Sequence, residues 1–180
     1  PALSSAASDV YKRQVDNYST GFRHNEQKGC HYYTEDISNK YFWCLSDKDE
    51  CEVTCDCEIE TPNIIYHLAA LPRIQPSFKN PQEVFETNAL GTQNVLNYAR
   101  QKNIPVVYAG SSTAHGDHFS NPYTFTKRQG ELLCEMYNKI YELPVAITRF
   151  YNVYGEHQIL EGAYVAVIGT FQKQYSDGKT

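Results

Sequence analysis

Three stretches of this chain decide its fold: Pro105-Val106-Val107-Tyr108-Ala109-Gly110-Ser111-Ser112, then Asn121-Pro122-Tyr123-Thr124-Phe125-Thr126-Lys127, then Val145-Ala146-Ile147-Thr148-Arg149-Phe150. The outer two are short, β-branched and aromatic, as buried parallel strands are. Between them an asparagine followed by a proline marks a helix start, since one can cap the first turn and the other fits its first position. That helix is expected to run to about residue 142.

Working outward, Asn63-Ile64-Ile65-Tyr66-His67-Leu68 is another compact β-rich run. Asn80-Pro81 repeats the helix-start signal, and Val84, Asn88, Gly91, Val95 and Ala99 keep helical spacing to about residue 101. Residues 31–33 predict a short strand, and Val15-Asp16-Asn17-Tyr18-Ser19-Thr20-Gly21 reads as a strand end running into a polar loop. Residues 162–175 predict a helix, and residues 46–60, rich in charge and cysteine, an exposed loop or irregular helix. Residues 1–14 show neither strand nor helix periodicity. Alternating strands and helices at this spacing define an α/β class with a doubly wound parallel sheet.

The chain has 180 residues, 41% apolar and 21% charged, which suits one domain with a core. A net charge of -5 leaves no basic footprint for a phosphate backbone, so nucleic acid is not the expected partner. No apolar run approaches the ~20 residues of a membrane span, and the start lacks a basic-then-apolar signal layout. A cytosolic protein is expected. The six cysteines, Cys30, Cys44, Cys51, Cys55, Cys57 and Cys134, then read as free thiols. Cys51, Cys55 and Cys57 lack a paired knuckle and a second half-site, so no metal is expected.

Chemistry enters at Tyr123 and Lys127. Four residues apart at a helix start, a phenol and an ammonium share one face. A free phenol titrates at ~10, and bringing one near 7 requires about 4 kcal/mol of preferential phenolate stabilisation, which a close lysine and a cationic ring can supply. Just upstream, Ala109-Gly110-Ser111-Ser112-Thr113-Ala114-His115-Gly116 is rich in hydroxyls and directly follows a strand. Ligands of open parallel sheets sit outside such carboxyl ends.

These strand-end serines, the Tyr-x-x-x-Lys helix and the later Arg149-Phe150-Tyr151-Asn152-Val153-Tyr154-Gly155 together resemble the extended short-chain dehydrogenase/reductase superfamily. Within it the chain is most similar to NAD-dependent epimerase/dehydratases of the UDP-glucose 4-epimerase type, with a Rossmann-type fold. The resemblance runs from about Val15 to the end of the chain. It implies that Ser111 assists proton transfer, with Ser112 as its alternate, that Tyr123 is the acid/base, and that Lys127 lowers the phenol's pKa and binds the nicotinamide ribose. For the cofactor it implies Asp16 and Asn17, Asp36 and Ile37 flanking the adenine, Leu68, Ala69 and Ala70 at a strand end, Asn88, and Tyr151. Asn152 falls at a position that holds the nucleotide-sugar. The charge of Asp16 favours NAD over NADP, because it would repel a 2′-phosphate.

In this family a glycine-rich turn precedes the strand at Val15, yet residues 1–14 contain no glycine. They are expected to be a non-native leader, with 15–155 a partial NAD-binding domain and 156–180 the start of a substrate-binding region truncated at its end. Further departures are His115 where a tyrosine is usual, a short loop over 116–123 and an apparent insertion over 46–60. The expected activity is a nucleotide-sugar 4-epimerase passing through a 4-keto sugar, homodimeric when complete. The alternatives are a 4,6-dehydratase or reductase on the same scaffold, or a non-catalytic dinucleotide-binding module.

Overall fold

The computed structural model describes residues 12–44, 61–160 and 162–179. In chain order the strands and helices are β1 (Lys12–Asp16), β2 (Cys30–Thr34), β3 (Ile65–His67), α1 (Ile74–Lys79), α2 (Pro81–Phe85), α3 (Gly91–Lys102), β4 (Val106–Ser111), α4 (Pro122–Tyr141), β5 (Val145–Phe150) and α5 (Val167–Ser176). A π-helical turn, Glu86–Leu90, joins α2 to α3. The chain forms two compact units, one holding β1, β2 and α5, the other holding β3 to β5 with α1 to α4.

All pairing among these strands is parallel, as the alternation of strands and helices predicts. β1 pairs with β2, and β3, β4 and β5 form a second sheet with β4 in the middle. Where the sequence predicts one doubly wound sheet, the described residues form two separate parallel sheets, one in each unit. The central position of β4 explains its sequence: five of its six residues are buried, because both of its edges carry a neighbour. β3 is an edge strand of this sheet, and Tyr66 is accordingly half-exposed.

Several boundaries differ from expectation. β1 begins at Lys12, so three residues that show no strand periodicity in the sequence pair with Cys30, His31 and Tyr32. Their long polar side chains carry no alternation, and only the ladder reveals the strand. The helix expected over 80–101 is α2, the π turn and α3 in sequence. α1 had no signal, since Pro76 interrupts it, and α5 starts at Val167, five residues after Gly162. Residues 46–60, with Cys51, Cys55 and Cys57, lie outside the described residues. Among the described residues, Cys30, Cys44 and Cys134 form no disulfide.

The core of the larger unit joins Leu96 and Ala99 of α3, Val106 and Tyr108 of β4, Cys134 and Tyr137 of α4, and the loop residues Ile104 and Leu143. Full burial of one such aliphatic side chain contributes about 2 kcal/mol. The predicted stripe Val84, Asn88, Gly91, Val95 and Ala99 is buried throughout. α4 lies so close to β4 that a Cβ at Gly130 would stand 2.1 Å from the Tyr108 hydroxyl, and one at Gly110 would meet Glu131 Oε1 at 2.7 Å. Bulkier residues at either place would push the catalytic-candidate helix off the strand.

Candidate functional site

Ser111 is the last residue of β4 and is 6% exposed. Its extended backbone ends the strand, and its Oγ accepts the Thr113 N–H at 3.3 Å and the Thr113 hydroxyl at 3.0 Å, starting a short 3-10 turn over Ser112–His115. The hydroxyl therefore stands at the carboxyl end of the central strand, where an open sheet receives ligands.

Tyr123 and Lys127 occupy the first turns of α4. Asn121, extended at φ -166° and ψ 160°, caps this helix with its side chain, Oδ1 accepting the Thr124 N–H at 2.8 Å. Tyr123 is partly exposed, whereas Lys127 is 6% exposed. The ammonium of Lys127 donates to Ala109 O at 2.5 Å and lies 4.5 Å above the Tyr108 ring. The ladder explains this choice. Ile65 N–H bonds Pro105 O, so alternate β4 carbonyls face β3, and β3 stops at His67 opposite Tyr108. Ala109 O is the next carbonyl on that side, and Lys127 supplies the donor that a longer β3 would have provided.

Burial pushes the Lys127 ammonium down to about 8, opposed by nearby Cys134 and Glu131. Glu131, one turn further along α4, is 1% exposed and held by Arg149 of β5 through Nε at 3.2 Å and Nη2 at 2.9 Å, and by Arg128 at 3.1 Å. Burial raises this carboxyl, but hydrogen bonds and charge from Arg149, then Arg128, outweigh it and hold the group below the usual carboxylate range. A fully paired carboxylate thus stays negative two turns below Tyr123 and ties α4 to β5.

Behind the site lies a buried polar network of which the sequence singled out only Asn88. Asn88 sits inside the π turn, 1% exposed, and its Oδ1 accepts the Leu71 N–H at 2.8 Å while its Nδ2 donates to Leu71 O at 3.1 Å and Thr126 Oγ1 at 3.3 Å. Both amide atoms are spent on protein, so any influence of Asn88 on a cofactor passes through the loop after β3. Thr92 donates to Asn88 O at 2.6 Å, which leaves its oxygen to accept from His67 Nε2 at 2.9 Å and assigns the proton of neutral His67 to that nitrogen. Burial lowers His67 to about 3, with the Lys127 charge adding to the effect. A histidine within a β-run and a threonine directly after the stripe position Gly91 were the only available signals.

The remaining predicted residues lie as follows. Leu68 and Ala69 are exposed just after β3, and Ala70 is partly buried. Asp36 Oδ1 accepts the Ser38 N–H, and Ile37 is buried against Gly91 with its carbonyl held by Asn94. In the smaller unit, Asp16 ends β1, with Oδ1 accepting Tyr18 N–H and Oδ2 accepting Gln14 Nε2, and Asn17 Oδ1 accepts Ser19 N–H. Tyr151 and Asn152 are exposed. The larger unit thus carries Ser111, Tyr123, Lys127, Asn88 and the β3 loop, and the smaller one carries Asp16, Asn17, Tyr151 and Asn152.

A parallel α/β domain with a strand-end serine and a Tyr-x-x-x-Lys helix defines a class of dinucleotide-type folds. Residues 5–179 match the NAD dependent epimerase/dehydratase family, and this chain belongs to it. A UDP-glucuronate 4-epimerase of Arabidopsis thaliana is 35% identical over 106 residues, covering 51% of this chain and 23% of that protein. The dTDP-D-glucose 4,6-dehydratase of Mus musculus is 31% identical over 154 residues, covering 77% and 43%. Among solved structures, the UDP-glucose 4-epimerase of Thermotoga maritima with UDP-glucose shares the fold, with a TM-score of 0.79 and 20% identity over 95% of this chain and 57% of that one. The chain spans 33% to 50% of the length of the first three curated relatives it matches. Among the described residues no helix is long and apolar enough to cross a membrane, and no cluster of three or more histidine, cysteine or acidic groups could hold a metal.

Proposed function

We propose that the protein carrying this chain is an NAD-dependent nucleotide-sugar 4-epimerase of the UDP-glucose or UDP-N-acetylglucosamine type. The observation that carries this reading is the placing of Ser111 at the end of β4 beside a helix that presents Tyr123 and a buried Lys127. Tyr123 takes the proton of the sugar 4-hydroxyl, the Ser111 hydroxyl bonds the reacting oxygen, and the charge of Lys127 stabilises the phenolate. NAD, when bound, supplies a reversible hydride acceptor, so epimerisation has no net redox change. The donor set fits it: Asp16 retains lone pairs for ribose hydroxyls, Asp36 and Ile37 suit the adenine side, and small residues after β3 permit close backbone approach. Tyr151 and Asn152 are assigned to cofactor and nucleotide-sugar respectively.

Elimination of water needs further acid/base groups after the strand-end hydroxyl, and Ser112 and Thr113 stand in those places. This favours epimerase over 4,6-dehydratase, and intact Ser111, Tyr123 and Lys127 favour an enzyme over a binding module. We assign the protein to the cytosol, and to a homodimer through the exposed apolar face of Phe85, Leu90, Leu132 and Met136 on α2, the π turn and α4.

The complete protein, given UDP-glucose or UDP-N-acetylglucosamine without added NADH, is expected to form the C4 epimer, read by NMR. Tyr123→Phe should lower kcat at least ~10²-fold with nucleotide-sugar affinity little changed. A 4-keto-6-deoxy product would replace this reading with the dehydratase one, and a nearly active Tyr123→Phe would remove Tyr123 from the chemistry.

A further inference from the structure

Helix α4 starts with two amide groups that need acceptors from outside its own ladder. Asn121 serves the Thr124 N–H, three residues on. The Tyr123 N–H is served from far away, by Ser77 Oγ of α1 at 3.2 Å. Ser77 is completely buried, and its own hydroxyl proton goes to Ile74 O at 2.7 Å, which fixes its lone pairs toward Tyr123. The segment leading to it is also held: Leu71 is gripped through both its N–H and its carbonyl by Asn88, and Arg73 takes φ +85°, a left-handed value that a non-glycine residue adopts at a cost of ~1–3 kcal/mol when its surroundings demand it. The chain therefore accepts strain between two anchors, one at Asn88 and one at Ser77.

We propose that Ser77 is a positioning residue for Tyr123, a tertiary cap that sets where the phenol stands relative to Lys127 and the Ser111 hydroxyl. An intrahelical cap secures a helix start but leaves the whole helix free to slide on its neighbours. A hydroxyl from α1 on the backbone of Tyr123 itself fixes that residue against a separate part of the unit. The proposal rests on Tyr123 being the acid/base. Misplacement of a reacting group by ~1 Å costs up to ~10²-fold in rate, so one lost hydrogen bond at this point has leverage far beyond its contribution to stability.

The test compares Ser77→Ala with Asn121→Ala in the complete protein loaded with NAD, using UDP-glucose. Both remove one acceptor from the same helix turn, so both should lower Tm by a similar amount. Ser77→Ala is expected to lower kcat ~10-fold, leave KM within ~2-fold and displace the acid limb of the kcat–pH profile, whereas Asn121→Ala should change kcat less than ~2-fold with the limb in place. Equal effects of the two variants on kcat, or a Ser77→Ala enzyme with the original pH profile, would overturn the proposal. If Ser77→Ala does not fold, Ser77→Cys keeps the shape with a weak acceptor. A partial loss with a displaced limb then supports the proposal, and an unaltered profile overturns it. Tyr123→Phe measured alongside separates the two ideas, since its retained activity defeats the acid/base reading whatever Ser77 does.

Discussion

Asn80-Pro81 and Asn121-Pro122 begin two helices with the same dipeptide, and the two asparagines do different things. Asn121 is reached through a loop, holds extended dihedrals and offers Oδ1 to the Thr124 N–H. Asn80 is reached directly from α1 and has φ -127° and ψ 60°, with its backbone N–H bonded to Pro76 O and no side-chain cap. An asparagine caps a helix when its own backbone is extended, which swings the short side chain over the first turn. The preceding residues decide that, so the dipeptide announces a helix start without deciding how its amides are satisfied. The helices also differ in regularity. The one opened by Asn80 bulges into a π turn at Asn88, and the one opened by Asn121 runs regularly for 20 residues to Tyr141.

Substitutions along the two helices test this contrast. The largest loss is expected for Asn88→Ala, about 3 kcal/mol in denaturant unfolding, because Leu71 N–H and O lose their partner in the interior. A loss below ~1 kcal/mol would mean that the π turn, and not the amide, holds the loop. The second test uses pH on the same helix, through the His67–Thr92 bond. His67 is held neutral in the fold with its pKa depressed to about 3, so the stability it confers is present above the ordinary histidine value of 6.5 and is lost as pH falls from there toward 3. Between pH 7 and pH 5 this amounts to about 2 kcal/mol. His67→Gln, which cannot gain a proton, should flatten that part of the stability profile, and an unchanged slope would assign the acid loss to other groups.

The smallest effects compare the caps themselves. Asn121→Ala should cost ~1 kcal/mol and Asn80→Ala less than ~0.3 kcal/mol, measured by thermal or denaturant unfolding of the same protein. Equal losses would show that Asn80 stabilises its helix by a route other than the side-chain cap.

Much of the larger unit was legible from the chain alone, for a definite reason. β5 was read at its full Val145–Phe150, and α4 ended within one residue of the reading, since each has a local signal at both ends. The places of Ser111 at a strand end and of Tyr123 and Lys127 in the first turns of a helix were legible because strand ends and i, i+4 spacing are local as well. The family follows from the order of those motifs, and the match over residues 5–179 agrees with it. β1 was read short because Lys12, Arg13 and Gln14 carry no alternation, and α1 was missed because Pro76 breaks the helical pattern.

What the sequence by itself determined is therefore the succession of parallel strands and helices and the placing of a serine at a strand end and of a tyrosine and a lysine on one helix, because periodicity, capping residues and i, i+4 spacing act over a few positions. The tertiary structure alone decided who serves each buried polar group. Ala109 O waits for Lys127 because β3 ends early, Glu131 pairs with Arg149 because α4 crosses β5, and the Tyr123 amide meets Ser77 from 46 residues away. Hydrogen bonds in a low-dielectric interior are compulsory, but which partner completes each one depends on the packing of distant segments, and no local pattern records it.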